Sequence, residues 1–395
     1  MHKLIFPITG LAVILLLAPA AQAYDAWAWL KARVAGREAP VVEAQSHRFR
    51  VETVADGLEG PWAICFVPDG RILVTEKPGR IRVIDAKGGP ARHLSGVPKV
   101  KSENQGGLLD IVLHPDFEKN RWVYLSYSVQ TDGGDMTQVS RHRLEGDRLT
   151  DMRVIFRSTP VDNDKNKHYG SRLAFGQDRK LYVTVGERGE GDRAQDLMQL
   201  NGKTLRLNDD GGVPEDNPFV NRKDAKPEIF SYGNRNSQGM AVHPVSGLIF
   251  QTEHGPSWND APGGGDEVNI IEAGKNYGWP VIHHRETKPG MESPILEYTP
   301  ANAPAGCTFY TGQAFPTWRN DFFFATLVGK NLVRVKFDGR KPVEQEFLLQ
   351  DRFGRLRDVE DGPDGYLYVL TSETDAYGSG SERGDLLLRL VPAGK

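Results

Sequence analysis

The chain has 395 residues, with 49 Lys and Arg against 52 Asp and Glu and a formal net charge of -3. A surface that neutralises phosphates carries a basic excess, so this balance argues against nucleic acid as a partner. Two cysteines, Cys65 and Cys307, are too few for a disulfide scaffold or a cysteine-rich zinc site. Both lie in apolar, strand-like stretches, which argues against a bridge between them, although an exported compartment permits one.

At the N-terminus Lys3 precedes an apolar run from Leu4 to Ala18, and Ala21-Gln22-Ala23 has the small-x-small pattern read by signal peptidase. The run is shorter than the roughly 20 residues a bilayer span needs. Residues 1–23 are therefore expected to be a cleaved signal peptide, leaving a soluble periplasmic or secreted protein with no membrane span. Loss of Lys3 takes the net charge from -3 to -4. Residues 24–46, with WAWLKARVAGREA, form a lead-in that reads either as a short helix on the outside or as a flexible segment.

From residue 50 to residue 391 one three-part phrase recurs six times: an apolar strand ending near Pro, Asp or Gly, a second strand, and a third often carrying Arg. The copies open with PWAICFVPDG, GGLLDIVLHPDF, YGSRLAFGQD, QGMAVHPVSG, APAGCTFYTG and RLRDVEDGPDG. A period near 50 residues signals a propeller or solenoid, and the short strands and DG, PDG or HP turns signal antiparallel sheet. One such sheet cannot bury both faces, so the expected fold is all-β, a six-bladed β-propeller of four-stranded antiparallel blades over residues 47–395.

The opening strand of each copy is the most apolar and is expected to line the central channel. Polar residues fall just before or within it: Gln105, then His168 and Arg172, then Arg235, Asn236 and Gln238, then Arg355 and Arg357. Equivalent phases place these groups on one rim. A water-filled channel explains any single Gln or Asn, but four arginines around one axis repel unless an anion neutralises them. The pattern points to a flat or carboxylate-bearing anion, which arginine grips in bidentate fashion. The run DNDKNK (162–167) resembles half a calcium loop, yet Lys167 and Leu173 occupy positions that need Gly and Glu. Dinucleotide, P-loop, zincin and serine-hydrolase motifs are missing from the sequence.

Together NQGGLLDIVLHPDF, HYGSRLAFG, GKTLRLNDDG, SYGNRNSQGMAVHP, TEHGP, GGDEVNIIEAGKNYGWP and RLRDV resemble the pyrroloquinoline-quinone (PQQ)-dependent aldose sugar dehydrogenases of the glucose/sorbosone dehydrogenase family. That resemblance implies the following roles. His168 is the general base toward the anomeric hydroxyl while the C1 hydride passes to the quinone C5, and Glu187 stands beside it where glucose-oxidising members have Asp. Arg235 stabilises charge on the quinone oxygen; Gln105, Asn236, Gln238, Arg355 and Arg357 hold the cofactor. One Ca2+ rests on the carbonyls of Gly255 and Pro256, and a second on Glu267 and the carbonyl of Tyr277. Val328 falls where the family has a lysine, leaving Lys330 as a candidate cofactor contact, and Tyr298 stands where a tryptophan is usual. The implied partners are an aldose substrate and an electron acceptor that the sequence does not name, with monomer and homodimer both open. A calcium-dependent lactonase-type hydrolase and a non-catalytic ligand-binding propeller are the competing readings.

Overall fold

Tight acidic turns set the blade repeat. Between the first two strands of blade 1, the Val67 N–H bonds the Arg71 carbonyl at 2.9 Å, and Asp69 Oδ1 accepts from the Arg71 N–H at 3.1 Å. Gly70 supplies the positive φ (93°) that closes the turn. The turns at Asp178 and Asp364 repeat the same carboxylate-to-backbone bond, to the N–H groups of Lys180 and Tyr366.

The computed structural model describes residues 41–85, 92–160, 166–257, 262–380 and 384–394. The expected signal peptide (1–23) and most of the lead-in (24–40) lie outside the described residues. Six antiparallel sheets follow in chain order. Their innermost strands are β3 (Pro61–Phe66), β7 (Leu108–Leu113), β11 (Leu173–Phe175), β15 (Ser237–Val242), β19 (Pro304–Phe309) and β23 (Leu356–Asp361). The architecture is the six-bladed propeller that the repeats predict. What the repeats do not reveal is the closure: the last blade takes its outer strand β2 (Arg48–Leu58) from the N-terminal end, paired with β25 (Asp385–Pro392), and β1 (Val42–Glu43) adds a fifth strand. Among the described residues no helix is long and apolar enough to cross a membrane. Cys65 and Cys307 are buried free thiols, both pushed up by burial.

Neighbouring blades are joined by a repeated hydroxyl. The side chains of Thr75, Ser126, Thr184 and Thr252, each on a blade's second strand, donate to the carbonyls of Leu109, Ser171, Ser237 and Ala305 at the next blade's inner edge, at 2.5, 2.6, 2.9 and 2.6 Å. Three of these hydroxyls also accept from their own blade's inner strand, from the N–H groups of Ala63, Asp110 and Arg172. The Ala63 and Asp110 N–H groups are left over because their strands bulge there, with shifts of register between Pro61 and Ala63 and between Leu108 and Ile111, and similar shifts recur in later blades between Ser237 and Gly239 and between Leu356 and Asp358; the Arg172 N–H lies just before β11 begins. Thr184→Val keeps the shape and strands two buried backbone groups, at about 1–3 kcal/mol each. Urea unfolding should report a loss of about 2–4 kcal/mol, against about 0.5 kcal/mol or less for an exposed Thr→Val control.

Candidate active site

His168 sits at the approach to β11 in the left-handed region (φ 52°), followed by Gly170 (φ 61°) and Ser171 (φ 77°). Such a run persists only where its surroundings hold it. Here the His168 N–H bonds Gln105 Oε1 at 2.7 Å, and the Gln105 N–H bonds the Asn166 carbonyl at 3.1 Å. Beneath the turn, Arg188 lies over the Tyr169 ring (3.6 Å to its centre), donates to the Lys167 carbonyl, and meets Asp135 at 2.9 Å. The Tyr169 hydroxyl donates to the same Asp135. Sequence reasoning passed over Asp135 and Arg188, since neither falls at the polar phase of the repeat.

His168 Nδ1 lies 2.7 Å from Glu187 Oε2 and 2.9 Å from Oε1. The Gly189 N–H also bonds Oε2 at 2.8 Å. Burial pushes the His168 pKa below its ordinary value and Arg235 adds to this, while Glu187 pulls it back. Burial disfavours charge on Glu187 as well, but His168, Arg235 and the Gly189 N–H outweigh it and hold the carboxyl below its usual range. The two directions lean on each other: the downward pull of His168 on Glu187 is full only when the ring is protonated. With burial keeping the ring neutral, Gly189 and Arg235 carry the carboxylate, which accepts the Nδ1 proton and leaves Nε2 as the basic nitrogen.

His168 lines a cavity of about 700 Å³, with Glu187 behind it. Among the described residues five lining side chains are cationic, Lys77, Lys167, Arg235, Arg355 and Arg357, and one, Asp375, is acidic. Arg235 rides over Trp279 (5.3 Å) and donates to the His254 carbonyl at 3.2 Å. Arg357 donates to Gln238 Oε1 and to Asp375, each at 2.7 Å. Burial lowers the pKa of both Arg355 and Arg357, and each lowers the other or is lowered by a second arginine. Asn236 Oδ1 accepts from the Gly170 N–H at 3.1 Å. Buried nitrogens without a hydrogen-bond partner remain at Asn236 Nδ2, Arg355 Nε and Arg357 Nε.

Several expectations change. Arg172 is absent from the cavity lining: its guanidinium meets Asp110 at 3.2 Å and Asp358 at 3.1 Å, so internal carboxylates and not a ligand neutralise it. Lys330 is exposed and is not among the residues that line the cavity, whereas Val328 lines it. Of the two lining lysines, Lys77 and Lys167, Lys77 bonds Asp375 at 2.7 Å and the Asn104 carbonyl at 2.6 Å. Tyr298 packs edge-on against Phe324 (5.7 Å) and does not line the cavity. Sequence reasoning also missed Trp62, His254 and Asp375, whose only signal is their place next to strand ends.

The residues present fit a flat polyanion: an excess of cations, donors without partners, and space. Among the described residues no group of three or more acidic, His or Cys side chains gathers as a metal site, and the two places the resemblance implies for Ca2+ are built as follows. Asp266 Oδ1 accepts from the Gly255 N–H at 2.8 Å and fixes the loop carrying the Gly255 and Pro256 carbonyls. Glu267 pairs in register with Glu253, both buried, and burial with mutual repulsion raises Glu267 well above the usual carboxylate range. Two facing carboxylates of that kind favour a proton or a cation between them.

The propeller's cavity thus sets a carboxylate-held imidazole among arginines, an arrangement suited to a base beside an anionic ligand. Residues 58–380 match the family described as glucose/sorbosone dehydrogenase, and the chain belongs to that family of PQQ-type oxidoreductases. It is 42% identical over 341 residues to aldose sugar dehydrogenase YliI of Escherichia coli, covering 82% of this chain and 90% of that protein. The crystal structure of the soluble E. coli aldose sugar dehydrogenase in its apo-form superposes with a TM-score of 0.79 at 40% identity, covering 87% of this chain and 100% of that one. The PQQ-bound aldose sugar dehydrogenase of Streptomyces coelicolor gives 0.74 at 31% identity, covering 88% and 99%.

Asp135→Asn removes the charge that Arg188 and the Tyr169 hydroxyl share. Breaking a buried pair from one side costs about 3–5 kcal/mol. Denaturant unfolding should show that loss, whereas Asp132→Asn, at an exposed turn, should change stability by about 0.5 kcal/mol or less.

Proposed function

We propose that the protein is an exported quinoprotein that oxidises aldose sugars at C1 to lactones, with His168 as general base. The observation that carries this reading is the His168 imidazole, hydrogen-bonded to Glu187 at 2.7 Å, at a cavity whose described lining sets five cations against one acid. Bound PQQ supplies the two-electron acceptor for the C1 hydride. His168 Nε2 takes the proton of the anomeric hydroxyl, and Glu187 keeps the tautomer and stabilises the imidazolium that results. Arg235, held by Trp279 and the His254 carbonyl, stands ready for negative charge developing in the cavity. Gln105, Asn236, Gln238, Arg355 and Arg357, with Lys77 in the place expected of Lys330, would hold the cofactor's carboxylates and carbonyls. Ca2+ on the carbonyls of Gly255 and Pro256 would act as a Lewis acid, and a second ion at Glu267 and Tyr277 would be structural. The leader at residues 1–23 supports export. The electron acceptor and the natural sugar are set by surfaces and loops that the His168–Glu187 geometry does not define.

Reconstitution tests the reading. Apoprotein should gain aldose-dependent dye reduction only with both PQQ and Ca2+. Lactone hydrolysis with Ca2+ alone would establish the hydrolase instead, and no turnover on any aldose would leave a binding propeller.

His168→Gln should lower kcat about 100-fold or more while PQQ affinity changes little. In the native enzyme the acid limb of kcat/KM against pH should lie below 6.5, the ordinary imidazole value, because burial favours the unprotonated base. Glu187→Gln removes the carboxylate that raises the His168 pKa, so the limb should move to still lower pH as kcat falls.

A further inference from the structure

Three inner strands carry the same irregularity one residue from their start. In blade 1 it encloses Trp62, between Pro61 and Ala63; in blade 4, Gln238, between Ser237 and Gly239; in blade 6, Arg357, between Leu356 and Asp358. All three bulged residues line the cavity. A bulge re-aims the side chain it carries, and here it re-aims three chemically different side chains to one place. Two of them are assigned to the cofactor in the reading above. Trp62 holds the equivalent register and has no assigned task.

Trp62 is 3% exposed: part of its surface packs into the apolar core with Leu73, Leu108 and Leu109, and part lines the cavity beside Arg235, Arg357 and His168. One face of its ring is covered by the Arg172 guanidinium, 4.2 Å from the ring centre. That cation is fixed in turn by Asp110, by Asp358 and by the Gln238 carbonyl at 2.9 Å. The arrangement braces the indole from below with a charge already neutralised by internal acids. Arg172 therefore does not compete for an anion in the cavity, and the ring cannot easily retreat. The lining also offers Leu327, Val328, Ala301, Ala303 and Tyr377, but Trp62 is its one indole and its largest flat apolar surface among the described residues.

We propose that Trp62 is a direct contact of the bound cofactor, the braced aromatic floor against which the quinone ring system packs; this rests on the quinone reading. Contact between an indole and a flat heteroaromatic ring is worth about a factor of ten in affinity. The test is titration of PQQ into Ca2+-loaded apoprotein by calorimetry, with the absorbance spectrum of the bound cofactor recorded beside it. Trp62→Leu, which keeps apolar bulk without a ring, should weaken binding about tenfold and shift the spectrum. Trp62→Phe should bind within about threefold of the native protein. Equal affinities and spectra for native, Leu and Phe proteins would overturn the proposal, and so would a Phe variant as weak as the Leu variant. Failure of the native protein itself to bind PQQ would overturn the quinone reading, which separates the two failures.

Discussion

The hydroxyl that bridges each pair of early blades is the constraint from which the interior follows. Each of four Ser or Thr side chains on a second strand satisfies a carbonyl of the next blade, three of them also accept an N–H from their own blade's inner edge, and in blades 1 and 2 that N–H lies at a bulge. A buried backbone group without a partner is costly, so bulge and hydroxyl come together. Once the strand bulges, consecutive side chains separate along the axis. Trp62, Gln238 and Arg357 at the bulge meet the cavity, while Asp110, Arg172 and Asp358, with Asp110 and Arg172 at the residue whose N–H the hydroxyl takes, form an ion-paired plug beneath.

That one-residue separation also divides the electrostatics. In the plug two carboxylates meet one arginine, so no cation is in excess there. In the cavity the cations are in excess, and burial lowers the pKa values of Lys77, Arg355 and Arg357, with neighbouring arginines adding to it. A floor without surplus cations below an unbalanced wall confines the demand for an anion to one side. Burial first and Arg235 second also lower the His168 pKa, so one arginine of the wall that would hold an anionic cofactor favours the unprotonated base as well.

Much of this was legible in the sequence because the repeat is a register and polar residues interrupt it visibly. The six blades and the Gln105–His168–Arg235–Arg357 set are read from phase, and the departure at Val328 from the family resemblance. Arg172 was misplaced because phase has no bulge in it: a shift of one residue sends Arg357 upward and Arg172 downward, and both are arginines before strands. Trp62 escaped notice for the opposite reason, since an aromatic among apolar neighbours carries no mark of the cavity. Lys77 and Asp375 belong to the ends of outer-lying strands and loops, and only the closed ring brings blades 1 and 6 together.

That closure governs the order in which the site comes into being. Lys77 is made early and Asp375 near the end, and their bond, with Gly60 N–H to Thr374 Oγ1 at 2.7 Å, spans the seam where the first strand joins the last blade. A polypeptide cut short before its last blade lacks Arg355, Arg357 and Asp375, and so part of the wall that Gln105, His168 and Arg235 begin. The last blade is itself complete only when β2 pairs with β25, so the pairing of the two ends of the chain is a condition on the cavity and not only on the ring.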